Sequence, residues 1–171
     1  HLLLTLPTGD QHRVGILRSA ATAATHRGAP RAAAAYLRRA LAESPSGQDR
    51  GEILAELGWY EVATVQFEAA QEHLRAALAS SATLATRADA ASSLGRCAIV
   101  SGGRSAAAAA DAVSSLAGEL WPADPERSLE LGSELLIVAG SIPLLRPGLA
   151  ARLREFRDLA RGRPGFEAVA R

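Results

Sequence analysis

The sequence predicts an all-α fold in which antiparallel helix pairs stack as a right-handed solenoid. The first observation is a repeat: Ala21, Gly58, Gly95 and Gly132 are spaced 37 residues apart, and a leucine precedes each of the three glycines. The second is that apolar residues recur at helical spacing between breaks rich in glycine and proline. A fixed period of this length indicates one supersecondary unit copied along the chain.

Small residues also recur at two later positions of the repeat. Those twelve residues after the repeat glycine or alanine are Ala33, Ala70 and Ala107, and those nineteen residues after it are Ala40, Ala77, Ser114 and Ala151. Small side chains suit places where two helices touch, because a larger side chain would force them apart. We therefore expect Gly58 and Gly95 to lie at close helix–helix contacts.

The first two repeats, about 10–45 and 49–81, each predict a helix pair. Asp10 is a favourable cap for a first helix, and Gly28 suits the left-handed position that follows a helix end. Pro30 then fits the first turn of the next helix. The predicted helices of these repeats span about 10–28, 30–43, 49–61 and 65–80.

The third repeat, about 84–120, predicts helices over 84–100 and 104–120. The fourth, about 124–161, begins with the capping Asp124 but then departs from the pattern, because Gly140 and Pro143 lie where its second helix should run. We expect the last helix to begin near Pro147 and a further helix to start over 165–170. No segment alternates with a period of two, so no β-strand is predicted.

Length and composition favour a single helical domain over residues 1–171. Residues 1–9 are interpreted as the end of a preceding domain or a linker, because the leucines at 2–4 look like a helix end and Pro7 and Gly9 mark a turn. The chain has 19 basic residues, all arginine, and 18 acidic residues, a net charge of +1 that gives little support for direct nucleic-acid binding. No apolar run reaches the length of a membrane span. Cys97 is the one cysteine, which predicts a reducing compartment and a cytoplasmic location.

No motif indicates catalysis, and we predict a non-enzymatic segment without its own cofactor or metal. The stretch 101–105 lacks the Gly-Lys-Ser/Thr of a P-loop, and no Gly-x-Ser-x-Gly nucleophile elbow is present. The histidines do not have zinc-ligand spacing. The carboxylate pair Glu52 and Glu56 is interpreted as part of a solvated helix face.

The repeat resembles the tetratricopeptide pattern of glycine, alanine, an apolar residue and alanine. In the second repeat the matching residues are Leu57, Gly58, Ala70, Leu74 and Ala77. This resemblance implies a right-handed tetratricopeptide-like superhelix, an α-α solenoid in which the first helices of the pairs line a concave surface.

The stretches 27–42 and 50–58 are also similar to the helical-repeat region of large LuxR-type transcription regulators with an AAA/STAND ATPase module. The resemblance implies a protein-interaction or sensor segment whose partners are flanking ATPase and helix-turn-helix modules of the same chain, or a protein, peptide or small effector. ATP would belong to the ATPase module of the parent protein. The alternative is a free-standing adaptor that binds a peptide in its concave groove.

The same register predicts which residues line that groove. The five selected positions are Arg18, Glu52, Trp59, Asp89 and Arg96, and the register adds Ala55 and Ser92 among their neighbours. Trp59 is the candidate anchor, because tryptophan is over-represented among residues that dominate binding. The other interpretation is that Trp59 packs against a neighbouring helix or against a domain outside this segment.

Overall fold

A computed structural model describes residues 2–80, 82–103 and 105–161. Within these ranges the regular structure is helical and contains no strand, which confirms the all-α prediction. Two short 3-10 helices span Leu2–Leu4 and Pro143–Leu145. The α-helices are α1 Gln11–His26, α2 Pro30–Ala42, α3 Gly47–Ala63, α4 Phe67–Leu78, α5 Leu84–Val100, α6 Ala106–Leu120, α7 Pro125–Ser141 and α8 Arg146–Ala160.

The chain divides into two compact units, His1–Cys97 and Ala98–Arg171. In the first unit α1 packs against α2, α2 against α3, and α3 against α4. The start of α1 meets the end of α2, where the Gln11 side chain donates to the Ser44 carbonyl oxygen at 3.2 Å. α5 contacts α4 through Arg87, whose Nε donates to the Leu78 carbonyl oxygen at 3.1 Å. Successive helices are therefore neighbours in space.

The core of the first unit is built mainly from alanine and leucine, whose buried members in α1–α3 include Leu17, Ala21, Ala33, Leu37, Ile53 and Leu57. Alanine buries little surface but lets helices approach closely. One close approach is at Gly58 of α3, where an added Cβ would lie 2.5 Å from Leu74 Cγ in α4. The predicted close contact at Gly58 is confirmed, and Gly95 is buried in α5.

The 37-residue period appears in the backbone as a recurring turn between helices. Gly28, Val65 and Gly102 all have left-handed φ angles, of 69°, 66° and 75°. In each turn the next amide donates to a carbonyl oxygen five residues earlier: Ala29 to Ala24 at 2.9 Å, Gln66 to Glu61 at 2.8 Å and Gly103 to Ala98 at 2.8 Å. This is the hydrogen bond that ends a helix in a Schellman motif. It also explains why α4 begins at Phe67 and not at the predicted residue 65.

In the second unit α6 packs against α7, and α7 against α8. The predicted register is wrong in α6, because Ala107 is exposed whereas Ala106 and Ala110 are buried. The cause is local: Ser105 has a left-handed φ of 60°, and the helix begins directly after it. The buried positions of α6 therefore follow those of α4 by 36 residues, as the step from Ala70 to Ala106 shows (106 − 70 = 36).

The fourth repeat departs from the pattern, as its glycine and prolines predict. α7 starts at the predicted cap, where Asp124 Oδ1 accepts from the Arg127 amide at 3.0 Å. It then continues through Gly140 to Ser141, so the position that forms a turn in the other repeats is helical here. α8 begins at Arg146, beside the predicted Pro147. The helix predicted over 165–170 lies outside the described residues.

Candidate functional site

An ion-pair cluster joins α1 to α3 on one side of the first unit. Arg18 Nη2 donates to Glu52 Oε2 at 2.9 Å and to Glu56 Oε1 at 2.7 Å, and Arg18 Nη1 lies 3.6 Å from Asp49 Oδ1. Burial lowers the pKa of Arg18, but the bonds to Glu56 and Glu52 outweigh it and raise this pKa above its usual value. Three carboxylates thus share one guanidinium.

A second contact shows the relative direction of these two helices. The Thr25 hydroxyl of α1 and the Tyr60 hydroxyl of α3 form a short hydrogen bond. Thr25 follows Arg18 along α1, and Tyr60 follows Glu52 along α3. The contacts advance in the same direction along both helices, so α1 and α3 run parallel.

Trp59 lies on the same side of α3 as Glu52 and Glu56, because residues three, four and seven apart along a helix share a face. Its side chain is 45% exposed. The indole packs edge-to-face against Tyr60, with ring centroids 4.9 Å apart and an interplanar angle of 84°. We call the surface formed by Arg18, Asp49, Glu52, Glu56 and Trp59 the α1–α3 face.

The structure brings three of the five predicted groove residues together on the α1–α3 face. Arg18 and Glu52 are in direct contact, and Trp59 lies on the same face of α3. Asp89 and Arg96 are exposed on α5, where Arg96 donates to Ser93 Oγ on its own helix at 3.1 Å.

Two groove positions were assigned wrongly from the sequence, and one was missed. Ala55 and Ser92 are buried, with exposed fractions of 8% and 4%, so they do not contribute to a groove surface. Each points into the helix packing because the buried faces of α3 and α5 are wider than the repeat pattern indicated. Glu56 was interpreted as part of a solvated face, yet it is an ion-pair partner of Arg18. The signal for this pairing was an arginine 38 residues before a glutamate, close to one repeat length.

A fully buried carboxylate, Glu43, anchors the segment before α1. Its Oε2 accepts from the backbone amides of Thr8 at 2.7 Å and Gly9 at 2.8 Å. Its Oε1 lies 2.8 Å from Arg39 Nη2. Burial would raise the pKa of Glu43, but the hydrogen bonds from Thr8, Arg39, Asp10 and Gly9 lower it to about 2.

A second buried carboxylate, Glu61, joins three helices near the turn after α3. Arg38 of α2 donates to Glu61 Oε1 at 2.9 Å, and His73 Nδ1 of α4 lies 2.6 Å from Glu61 Oε2. Arg38 also donates to the Gln66 side chain at 2.7 Å. Neither buried glutamate was identified from the sequence, since Glu43 directly follows α2 and Glu61 lies in α3 among partly exposed carboxylates such as Glu52 and Glu56.

The second unit contains a cavity of about 520 Å³ among α6, α7 and α8. Small and apolar residues such as Ala117, Gly132 and Leu135 line it, together with charged residues of α8. The buried Ser128 hydroxyl in its wall already donates to the Ala117 carbonyl oxygen at 2.7 Å.

The part of the chain that the structure describes holds no group of three His, Cys, Asp or Glu side chains able to bind a metal ion. Within that same part, no helix is both long and apolar enough to cross a membrane. Cys97 is buried, and burial raises the pKa of its thiol. Comparisons of the chain with protein-family models, curated proteins and solved structures found no match.

Proposed function

We propose that the chain is a tetratricopeptide-like, right-handed superhelix that recognises a protein partner through its α1–α3 face and performs no catalysis. The parallel course of α1 and α3 supports this architecture, because the first helices of successive antiparallel pairs run parallel in such a stack. The turn that recurs at Gly28, Val65 and Gly102 supports it further. Both features follow from the 37-residue period.

The exposure of Trp59 beside an ion-pair cluster is the observation that carries the binding role. A large aromatic side chain that is 45% exposed leaves apolar surface in contact with water. Tryptophan at such positions dominates the energetics of many interfaces. The carboxylates beside it are held in place by Arg18, so the face presents charge in a fixed arrangement. Fixed charge next to an aromatic anchor suits recognition.

Within a longer protein, we infer that this segment is the repeat or sensor part of a LuxR-type regulator with an AAA/STAND ATPase module. Partner binding on the α1–α3 face would then be transmitted to the flanking modules, which would bind ATP and DNA. The alternative, a free-standing adaptor, needs no such modules. The coding sequence around the segment separates the two, because the regulator requires a P-loop upstream and a helix-turn-helix downstream.

Binding itself is tested by selecting peptides from a random dodecapeptide display library against the chain. Selected peptides should lose at least tenfold in affinity when Trp59→Ala is introduced, measured by fluorescence anisotropy of labelled peptides. Trp121→Phe is the matched control, because Trp121 belongs to the second unit and not to the α1–α3 face. Peptides that bind both variants as tightly as the original chain would contradict a recognition role for this face.

A further inference from the structure

An exposed valine lies in the turn that follows α3, the helix that carries Trp59. Val65 has a left-handed φ of 66°, a conformation that is unfavourable for a β-branched residue. Its side chain is 69% exposed, so packing within the chain offsets little of this cost. Glycine occupies the equivalent position in the other two turns. Backbone strain of this kind is concentrated at functional positions, and the exposed side chain of Val65 is accessible to an intermolecular contact.

The charge next to Trp59 defines the chemistry of the partner. Asp49, Glu52 and Glu56 carry three negative charges, and Arg18 supplies one positive charge (1 − 3 = −2). The carboxylates of Asp49 and Glu56 have side chains that are 45% and 41% exposed, so their free lone pairs face solvent. A cationic group near these oxygens gains attraction, whereas an anionic group is repelled.

We propose that the partner is a basic peptide segment that also carries a large apolar residue. An arginine or lysine side chain of this segment pairs with Glu56 and lies over the indole of Trp59, where a cation is attracted by the ring face. The apolar residue contacts Val65. This assignment rests on the proposed function of the α1–α3 face and adds the chemical class of its partner. Nucleic acids and acidic peptides carry the wrong charge for the same surface.

The test uses two labelled dodecapeptides with the same leucine and alanine content, one carrying four arginines and the other four glutamates. Fluorescence anisotropy should show at least tenfold tighter binding of the arginine peptide. Its affinity should fall as salt is raised, because exposed ion pairs are screened. Equal or tighter binding of the glutamate peptide would overturn the proposal.

Three variants show whether binding occurs at the proposed residues. Glu56→Gln should weaken the arginine peptide at least threefold, whereas Glu72→Gln, an exposed glutamate on α4, should leave its affinity unchanged. Val65→Gly should weaken the peptide while making the chain harder to unfold with urea. A purely structural role of Val65 would change stability alone, so unchanged affinity in Val65→Gly overturns its part in the site.

Failure of the basic-peptide proposal can be distinguished from failure of the binding role proposed for the α1–α3 face. If the random library yields Trp59-dependent peptides that are neutral or acidic, the α1–α3 face binds a partner but the basic class is wrong. If neither the library nor the arginine peptide gives Trp59-dependent binding, both proposals are wrong.

Discussion

Val65 has the same left-handed backbone conformation as Gly28, which lies 37 residues before it. The φ angles are 66° and 69°, and the amide after each residue donates to a carbonyl oxygen five residues earlier. The two turns are therefore structural equivalents built from different residues. Glycine adopts this conformation without a steric cost, whereas a β-branched side chain does not.

The equivalence of the turns at Gly28 and Val65 predicts that two substitutions change the stability of the chain in opposite directions. Val65→Gly should raise the free energy of unfolding by about 1 kcal/mol, because the steric cost of a left-handed residue is removed. Gly28→Val should lower it by about 1–2 kcal/mol, although a Cβ at Gly28 would meet no atom within 4 Å. Urea unfolding monitored by circular dichroism measures both. A loss of stability in Val65→Gly would show that the valine side chain contributes packing that the turn needs.

The contact between Gly58 and Leu74 predicts that α3 does not tolerate a side chain at this position. Gly58→Leu should cost about 1–3 kcal/mol through overpacking, since even a Cβ would lie 2.5 Å from Leu74 Cγ. Gly15→Ala in α1 is the control, because a Cβ there meets nothing within 4 Å, and alanine should stabilise that helix by about 0.5–1 kcal/mol. Thermal unfolding of both variants checks the pair. If Gly58→Leu were as stable as the original chain, α3 and α4 would not be in close contact at Gly58.

The helix pairs could be predicted because their signals are local and repeated. Asp10 and Asp124 both cap helices as expected, and Gly28 and Gly102 both have left-handed φ angles. The register of α6 could not be predicted, because alanines occupy 106–110 without interruption and any of them fits the buried face. The turn at Ser105 decides between these alternatives, and serine is not a strong signal for that conformation.

The buried Glu43 predicts a loss of stability in acid. Its pKa in the folded chain is about 2, below its ordinary value of 4.5. A lowered folded-state pKa contributes stability above the ordinary value, and this contribution disappears as the pH falls from about 4.5 towards 2. Glu43→Gln lacks the titrating group, so it should be less stable than the original chain at pH 6. The difference in the free energy of unfolding between Glu43→Gln and the original chain should narrow towards pH 2.5.

Urea unfolding of the two proteins at several pH values tests this expectation. Thr8→Pro is an independent check, because it removes the backbone amide that donates to Glu43 at 2.7 Å. Thr8→Pro should therefore also reduce the loss of stability that the chain shows in acid. A stability difference between the original chain and Glu43→Gln that stays constant from pH 6 to pH 2.5 would mean that the carboxylate is not held by these hydrogen bonds.

The ion pair of Arg38 and Glu61 predicts energetic coupling between α2 and α3. Arg38→Ala leaves the buried carboxylate of Glu61 with fewer donors, and an under-bonded buried charge is destabilising. In a Glu61→Gln background the same exchange should cost less. A double-mutant cycle compares the loss of unfolding free energy caused by Arg38→Ala in the original chain with the loss in the Glu61→Gln background. The two losses should differ by about 0.5–3 kcal/mol. Additive effects would indicate that His73 alone satisfies Glu61.

The α1–α3 face could be predicted in part. Arg18, Glu52 and Trp59 were chosen because the 37-residue register places them on the first helices of two pairs, and the structure shows Arg18 and Glu52 in contact. The buried glutamates could not be found in this way. Whether a carboxylate is buried depends on which distant donors surround it. For Glu43 one such donor is the Thr8 amide, 35 residues earlier in the chain.

The exposure of Trp59 predicts a small effect on stability and a large effect on binding. A fully buried tryptophan would cost about 3–5 kcal/mol on truncation to alanine. Trp59 is 45% exposed and packs against Tyr60 through one ring edge, so Trp59→Ala should cost less than about 2 kcal/mol. Leu57→Ala, at a neighbouring position with an exposed fraction of 0%, should cost about 2–5 kcal/mol and serves as the buried control. Urea unfolding of both variants gives the comparison. A loss in Trp59→Ala as large as in Leu57→Ala would make Trp59 a core residue, and the anchor of the α1–α3 face would have to be sought elsewhere.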